Sequence, residues 1–143
     1  MEKSDLQKEG LQREREKISK ALEAQGARLM SFMLFDEGYQ IEFRPIKEGM
    51  TRKELYKFYD GIKFDGYMPF TTLYTDNSQI AMLVPTSDNT MSDFLWNYIE
   101  LYLPELEETL ALGLAVGVLE NIVECLPRAV KETYEEFITK LIQ

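Results

Sequence analysis

The fold is decided by the segment Pro104–Cys125, which has the sequence PELEETLALGLAVGVLENIVEC. From Leu110 to Leu119, ten residues pass without one polar side chain. Wound as a helix, this run is apolar on every face, and such a helix is normally covered on all sides. Ten residues are too few to cross a bilayer, which needs about 20. We therefore expect a buried central helix near residues 105–125.

Two glycines, Gly113 and Gly117, lie four residues apart in this segment. Each glycine costs a helix about 1 kcal/mol relative to alanine. The close approach of another backbone would compensate for that cost. The G-x-x-x-G pattern is diagnostic only in membrane spans, so we expect tight packing against another part of the chain on this side of the helix.

The length and composition are those of one folded domain. A chain of 143 residues is long enough to bury a core, and 45% hydrophobic residues exclude a disordered protein. The N-terminal residues lack the apolar region of a signal peptide. The lone Cys125 cannot form an internal disulfide, and we expect a buried, unreactive thiol. A cytoplasmic protein without membrane association is therefore expected.

The sequence contains no histidine. This removes the usual general base at neutral pH and the usual zinc ligand. Carboxylate chemistry and a carboxylate metal site remain open. The sequence nevertheless identifies no catalytic residues, no metal ligands and no cofactor, so we expect a protein that is not an enzyme.

The net charge of −9 is unevenly distributed. Residues 1–65 carry 13 Lys/Arg and 13 Asp/Glu, whereas residues 66–143 carry 3 and 12. Between Gly66 and Pro127 there is no Lys or Arg, although about seven would be expected in an average domain. The surface of this half should attract basic partners and repel nucleic-acid phosphate.

Hydrophobic periodicity and turn residues predict the element order α-ββ-α-ββ-α-α-α. Strands cluster early and helices late, which indicates an α+β fold: a small antiparallel sheet of two hairpins, about four strands, backed by helices. The strand Leu29–Phe35 is apolar on both sides, so we expect it at the centre of the sheet. Tyr39–Arg44 alternates apolar and polar residues and completes the first hairpin. The order in which the strands pair is not readable from the sequence.

The N-terminal residues 1–25 are predicted to form a charged helix or arm, and residues 26–143 a single α+β domain. The apolar stripe of this helix is thin. Its second half should dock through Ile18 and Leu22. Its first half either projects into solvent or pairs with a second copy of the chain, which would make a homodimer.

Two other patterns have ordinary structural explanations. Basic and aromatic residues interleave between Arg44 and Tyr74, as in single-strand binders, but nearby acids nearly cancel the charge, so we expect no direct nucleic-acid binding. Asp60 precedes the loop Ile62–Pro69 and Asp65 lies within it, but this segment lacks the ligand spacing of a calcium loop.

The best functional lead is a group of acids where two helices meet, beside aromatic residues. These residues are Glu100, Glu105, Glu107, Glu108, Trp96 and Tyr102. An acidic rim around aromatic anchors is typical of an interface with a basic protein. The sequence therefore predicts a small acidic protein-binding protein, an inhibitor, adaptor or chaperone-like subunit. It would cover a basic surface of a partner such as a nucleic-acid-processing enzyme.

Two alternatives come from other functional classes. One is a carboxylate-dependent enzyme or small-ligand binder with its site under the 62–69 loop. The other is a structural oligomer whose subunits join through the N-terminal helix. A deep pocket lined by converging carboxylates would favour the first alternative, and a flat acidic face with exposed aromatics favours the protein-binding interpretation.

Overall fold

The computed structural model describes residues 2–74 and 77–142, with side chains described for residues 9–70, 77–128 and 130–142. Within these residues five helices and four strands follow in the predicted order α-ββ-α-ββ-α-α-α. They are α1 (Glu2–Glu23), β1 (Ala27–Phe35), β2 (Gly38–Pro45), α2 (Arg52–Gly61), β3 (Tyr67–Tyr74), β4 (Gln79–Pro85), α3 (Asp88–Tyr102), α4 (Glu108–Val123) and α5 (Arg128–Ile142). The predicted α+β fold, with a small antiparallel sheet backed by helices, is confirmed.

The strand order in the sheet is β1-β2-β4-β3. The expectation that β1 is central is therefore wrong, because β1 lies at an edge. Its pairing with β2 is interrupted by a bulge between Leu29 and Ser31, and the side chains of Met30 and Met33 are 41% and 52% exposed. A strand with apolar residues on both sides does not have to be covered on both sides.

The inner face of the sheet follows the alternation predicted for β2. Tyr39, Ile41 and Phe43 are almost completely buried. Gly38, at the start of β2, has a φ of +143°. A Cβ there would lie 2.3 Å from the carbonyl oxygen of Leu83, so the close approach of β4 requires glycine.

The chain forms two compact units, Gln12–Val84 and Met1–Leu11 with Pro85–Gln143. In the first unit the second half of α1 docks as predicted, since Ile18 and Leu22 are buried. Helix α2 packs Tyr59 edge-on against Phe43, with ring centroids 5.6 Å apart. The expectation that residues 26–143 form a single domain, with residues 1–25 as a separate helix or arm, is a statement about independent folding. It stays a prediction.

Helix α2 begins with a capping box formed by Thr51 and Glu54. The backbone nitrogen of Glu54 donates to the Thr51 hydroxyl at 3.2 Å, and the backbone nitrogen of Thr51 donates to the Glu54 carboxylate at 3.1 Å. Hydrogen bonds from the backbone and side chain of Thr51 hold the pKa of the Glu54 carboxyl below its ordinary value. The cap fixes where the loop after β2 ends.

In the second unit α3 begins at Asp88. Its N-cap Ser87 exchanges hydrogen bonds with Thr90. Tyr134 of α5 is completely buried and donates a hydrogen bond to the carbonyl oxygen of Pro85. Burial raises the pKa of the Tyr134 hydroxyl far above its ordinary value.

Helix α4 is covered on one face only. Its buried residues are Ala111, Ala115, Val116, Leu119, Ile122 and Val123. On the other face Leu110 and Leu114 are 54% and 50% exposed, and a Cβ at Gly113 or Gly117 would meet no atom within 4 Å. The predicted burial of this helix is correct for the first face. Coverage on all sides and tight packing at the glycines are wrong.

The ends of α4 also differ from the prediction. The helix begins at Glu108, later than the expected start near residue 105, because Glu107 is its N-cap. Cys125, just beyond the helix, is exposed, so the expectation of a buried thiol is wrong. None of the helices in the described part of the chain is long and apolar enough to cross a membrane.

Candidate functional site

Three of the predicted acids lie in and beside the turn between α3 and α4. Glu105, Glu107 and Glu108 are all exposed. Glu107 accepts a hydrogen bond of 2.7 Å from the backbone nitrogen of Thr109. Hydrogen bonds from the Thr109 side chain and backbone hold the pKa of Glu107 below its ordinary value. Glu107 therefore stabilises the start of α4 as well as adding charge to the surface.

The fourth predicted acid, Glu100, is half-buried on α3. One of its carboxylate oxygens lies 3.3 Å from the position that a Cβ would take on Gly10 of α1. Glu100 therefore borders another helix of its own unit. It is less available to a partner than the three acids of the turn.

The two predicted aromatic anchors do not form one patch. Trp96 and Tyr102 are 39% and 47% exposed, but they lie six residues apart on α3. That spacing turns about 120° around the helix axis and rises about 9 Å along it. Tyr102 instead contacts the ring of Tyr98, with centroids 4.9 Å apart, and Trp96 shares its side of the helix with Glu100.

An exposed apolar surface that the sequence interpretation missed lies on the neighbouring helix. We call it the α4 outer face: Leu106, Leu110, Gly113, Leu114 and Gly117. Leu106, which precedes the helix, is 37% exposed, and Leu110 and Leu114 of the helix are 54% and 50% exposed. Residues four apart lie on the same side of a helix, so Leu110 and Leu114 form a row with the glycines beside it.

The sequence contained the signal for this surface. The uninterrupted apolar run and the glycine pair were both visible, and both indicated that something packs on the helix. They could not show whether the contact lies within the chain. Exposed apolar surfaces of this kind mark interaction sites in folded proteins.

Carboxylates border the α4 outer face. Glu107 and Glu108 lie at the N-terminal end of α4, and Glu120 and Glu124 are exposed near its C-terminal end. No Lys or Arg occurs in the sequence from Gly66 to Pro127. The surface is therefore an apolar strip between negative charges.

Side chains of the 62–69 loop, the alternative site, pack into the protein interior. Ile62 and Tyr67 are both 7% exposed, and the ring of Phe64 lies 6.0 Å from that of Phe43. The amide of Gln25 exchanges two hydrogen bonds of 2.8 Å with the backbone of Lys63. Among the described residues, no three Cys, Asp or Glu side chains are grouped as metal ligands.

Comparison with protein-family models, curated proteins and solved structures finds no match for this chain. The fold and the site define its class by their own geometry. It is an α+β protein with an exposed apolar helix face between carboxylates.

Proposed function

We propose that this protein is a small, acidic, non-enzymatic protein-binding protein of the cytoplasm. It covers a basic surface of a partner and acts as an inhibitor, adaptor or chaperone-like subunit. The observation that carries the proposal is the α4 outer face, where the half-exposed Leu110 and Leu114 lie beside open glycines and between the carboxylates near the two ends of the helix. The acids of the α3–α4 turn, Glu105, Glu107 and Glu108, belong to its border.

The charge around the α4 outer face favours a partner of opposite charge over a second copy. Two copies joined through this face would bring Glu107, Glu108, Glu120 and Glu124 of one chain close to the same acids of the other. Like charges across an interface cost several kcal/mol. A partner with apolar side chains surrounded by Lys and Arg satisfies both the leucines and the carboxylates. The basic surface of a nucleic-acid-processing enzyme has this chemistry.

The homodimer through the N-terminal helix is less favoured. Ile18 and Leu22, which give α1 most of its apolar stripe, are buried within their own chain. Such a dimer would rest on the first half of the helix alone.

The leucines and the acids should affect binding differently. Burying a leucine completely contributes about 1.5–3 kcal/mol, so covering the exposed half of Leu110 or Leu114 is worth about 1 kcal/mol each. The border carboxylates should mainly raise the association rate, and that effect weakens as salt screens them.

The experiment compares matched variants for binding to one purified partner. A pull-down from the native cell supplies the candidate, and capture alone does not support the proposal. One variant is Leu110→Gln with Leu114→Gln. A second reverses Glu105, Glu108 and Glu120 to Lys, and leaves Glu107 in place because it caps α4. The control reverses Glu132, Glu135 and Glu136 of α5, which are also exposed.

Each reversal adds two charges, so both triple variants change the net charge from −9 to −3. We expect the leucine variant to dissociate faster and the first triple variant to associate more slowly, with a weaker salt dependence. The α5 variant should bind nearly as the wild type does. Equal losses in both triple variants would show that net charge alone matters. Unchanged binding in the leucine variant would reject the α4 outer face.

A further inference from the structure

A cavity of about 310 Å³ lies in the unit Gln12–Val84, where β1 and β2 meet the loop that leads to α2. Its polar lining includes Arg28, Arg44, Lys47 and Glu48. Three cations thus face one acid in a protein whose net charge is −9. This cavity is separate from the residues of the proposed protein-binding site.

The two arginines are direct cross-strand partners. The register of β1 and β2 places Arg28 opposite Arg44. Side chains in such a pair project from the same face of the sheet, with Cβ atoms about 5 Å apart. Like charges directly opposite each other destabilise a sheet, so this pairing needs a compensating negative group.

Among the residues that the structure describes, no side chain supplies that group through an ion pair with Arg28 or Arg44. Glu42 is the acid nearest to Arg44 on the same face of β2, and it accepts a hydrogen bond of 2.8 Å from the Ser78 hydroxyl instead. Within the described part of the chain, both guanidinium groups therefore keep donors available for a ligand.

The loop after β2 supplies the rest of the lining. The backbone nitrogen of Ile46 donates to the carbonyl oxygen of Gly26 at 2.9 Å, which fixes the start of the loop beside β1. Lys47 follows directly and adds the third positive charge. The side chains of Ile46, Met50 and Leu55 provide an apolar part.

We propose that this cavity binds a small phosphorylated organic molecule. The phosphate lies between Arg28 and Arg44, and the organic group lies against Ile46, Met50 and Leu55. The planar fork of a guanidinium group matches two phosphate oxygens, and a doubly charged anion converts the repulsion between the arginines into attraction. Ligand sites typically have volumes of about 300–1,000 Å³, and this cavity lies at the lower end of that range.

Phenyl phosphate is a suitable probe because it combines a phosphate with a small apolar group. Titration into the full-length chain at constant ionic strength, followed by ³¹P NMR and calorimetry, should give saturable binding. Inorganic phosphate should bind more weakly, because it lacks the apolar group, and benzoate more weakly still, because its charge is smaller. These two comparisons separate the contributions of the phosphate and of the apolar lining.

Arg28→Gln and Arg44→Gln should each weaken phenyl phosphate binding at least about tenfold, since each removes charged hydrogen bonds. The matched control is Arg15→Gln, an exposed arginine of α1 outside the cavity lining, which should bind as the wild type does. Without ligand, Arg44→Gln should melt no lower than the wild type, because it removes a repulsion. The melting temperature therefore distinguishes a variant that has lost the binding site from one that has lost its fold.

Four outcomes would overturn the proposal. The first is no saturable binding of phenyl phosphate by the folded wild type, and the second is benzoate binding as tight as that of phenyl phosphate. The third is that Arg15→Gln weakens phenyl phosphate binding as much as Arg28→Gln and Arg44→Gln do. The fourth is that a single-stranded oligonucleotide binds more tightly than phenyl phosphate. The last result would assign the arginine pair to a nucleic-acid backbone. None of these outcomes bears on the α4 outer face.

Discussion

The hydroxyl of Tyr67 on β3 donates a hydrogen bond to the carboxylate of Glu14 on α1. Both residues are buried, with 7% and 4% of their surface exposed. Lys17, one turn further along α1, lies 3.2 Å from the same carboxylate, and its amino group is 5.4 Å from the centre of the Tyr67 ring. A buried carboxylate is tolerated in a protein core when it is paired and hydrogen-bonded in this way.

Tyr67→Phe should therefore destabilise the protein although it removes only one oxygen atom. The change removes the phenol hydrogen bond to the buried Glu14 carboxylate, and a hydrogen bond to a charged group contributes about 1.5–3 kcal/mol to stability. Chemical denaturation followed by circular dichroism measures the loss.

The matched control for this prediction is Tyr56→Phe. Tyr56 is 43% exposed, so this variant should lose little stability. Glu14→Gln completes a double-mutant cycle with Tyr67→Phe. A coupling free energy near zero between Glu14 and Tyr67 would contradict the view that this hydrogen bond fastens α1 to the sheet.

A substitution by Asp should reduce stability strongly on the buried face of α4 and only slightly on its exposed face. Val116 is 7% exposed and Leu114 is 50% exposed, although they lie two residues apart. Val116→Asp buries an unpaired carboxylate, which costs several kcal/mol out of the about 5–15 kcal/mol that stabilise a domain. We expect that variant to unfold or to melt far below the wild type.

Leu114→Asp, in contrast, should lower the melting temperature only slightly, because the α4 outer face is open to water. Thermal unfolding of both variants measures the difference. Similar large losses in both would mean that the exposed face of α4 is covered in the native protein, for example by a second copy of the chain.

Local chemistry made most of the fold predictable. The element order follows from hydrophobic periodicity, and from turn and cap residues such as Gly38, Pro45 and the Thr51–Glu54 pair. Each of these signals acts within a few residues of the chain. The strand order β1-β2-β4-β3 depends on contacts between distant residues, so neither the order nor the edge position of β1 could be obtained from periodicity.

The candidate site was predictable only in part, for the same reason. The acids of the α3–α4 turn were correctly expected at the junction of two helices. An apolar run, however, has the same pattern whether its helix is covered on one face or on all faces, and so the α4 outer face was missed. The Arg28–Arg44 pair was invisible because the two residues meet only through the register of β1 with β2.

Gly10, in the middle of α1, has a packing role that its sequence position did not reveal. It is buried, and a Cβ there would lie 2.5 Å from the side-chain oxygen of Asn97 on α3. Asn97 is only 8% exposed, so its amide has little room to move away. Gly10→Ala should therefore destabilise the protein, although alanine is the better helix former.

We expect Gly10→Ala to lower the free energy of unfolding by about 1 kcal/mol. Overpacking costs about 1–3 kcal/mol, and the higher helix propensity of alanine offsets about 1 kcal/mol of that cost. Gly113→Ala is the matched control: it makes the same substitution inside α4, where a Cβ would meet no atom within 4 Å. That variant should be stabilised by up to about 1 kcal/mol. In an Asn97→Ala background the clash disappears, so Gly10→Ala should then become neutral or stabilising. Denaturant unfolding of the four variants measures these differences, and stabilisation by Gly10→Ala in the wild-type background would show that α1 does not approach α3 this closely.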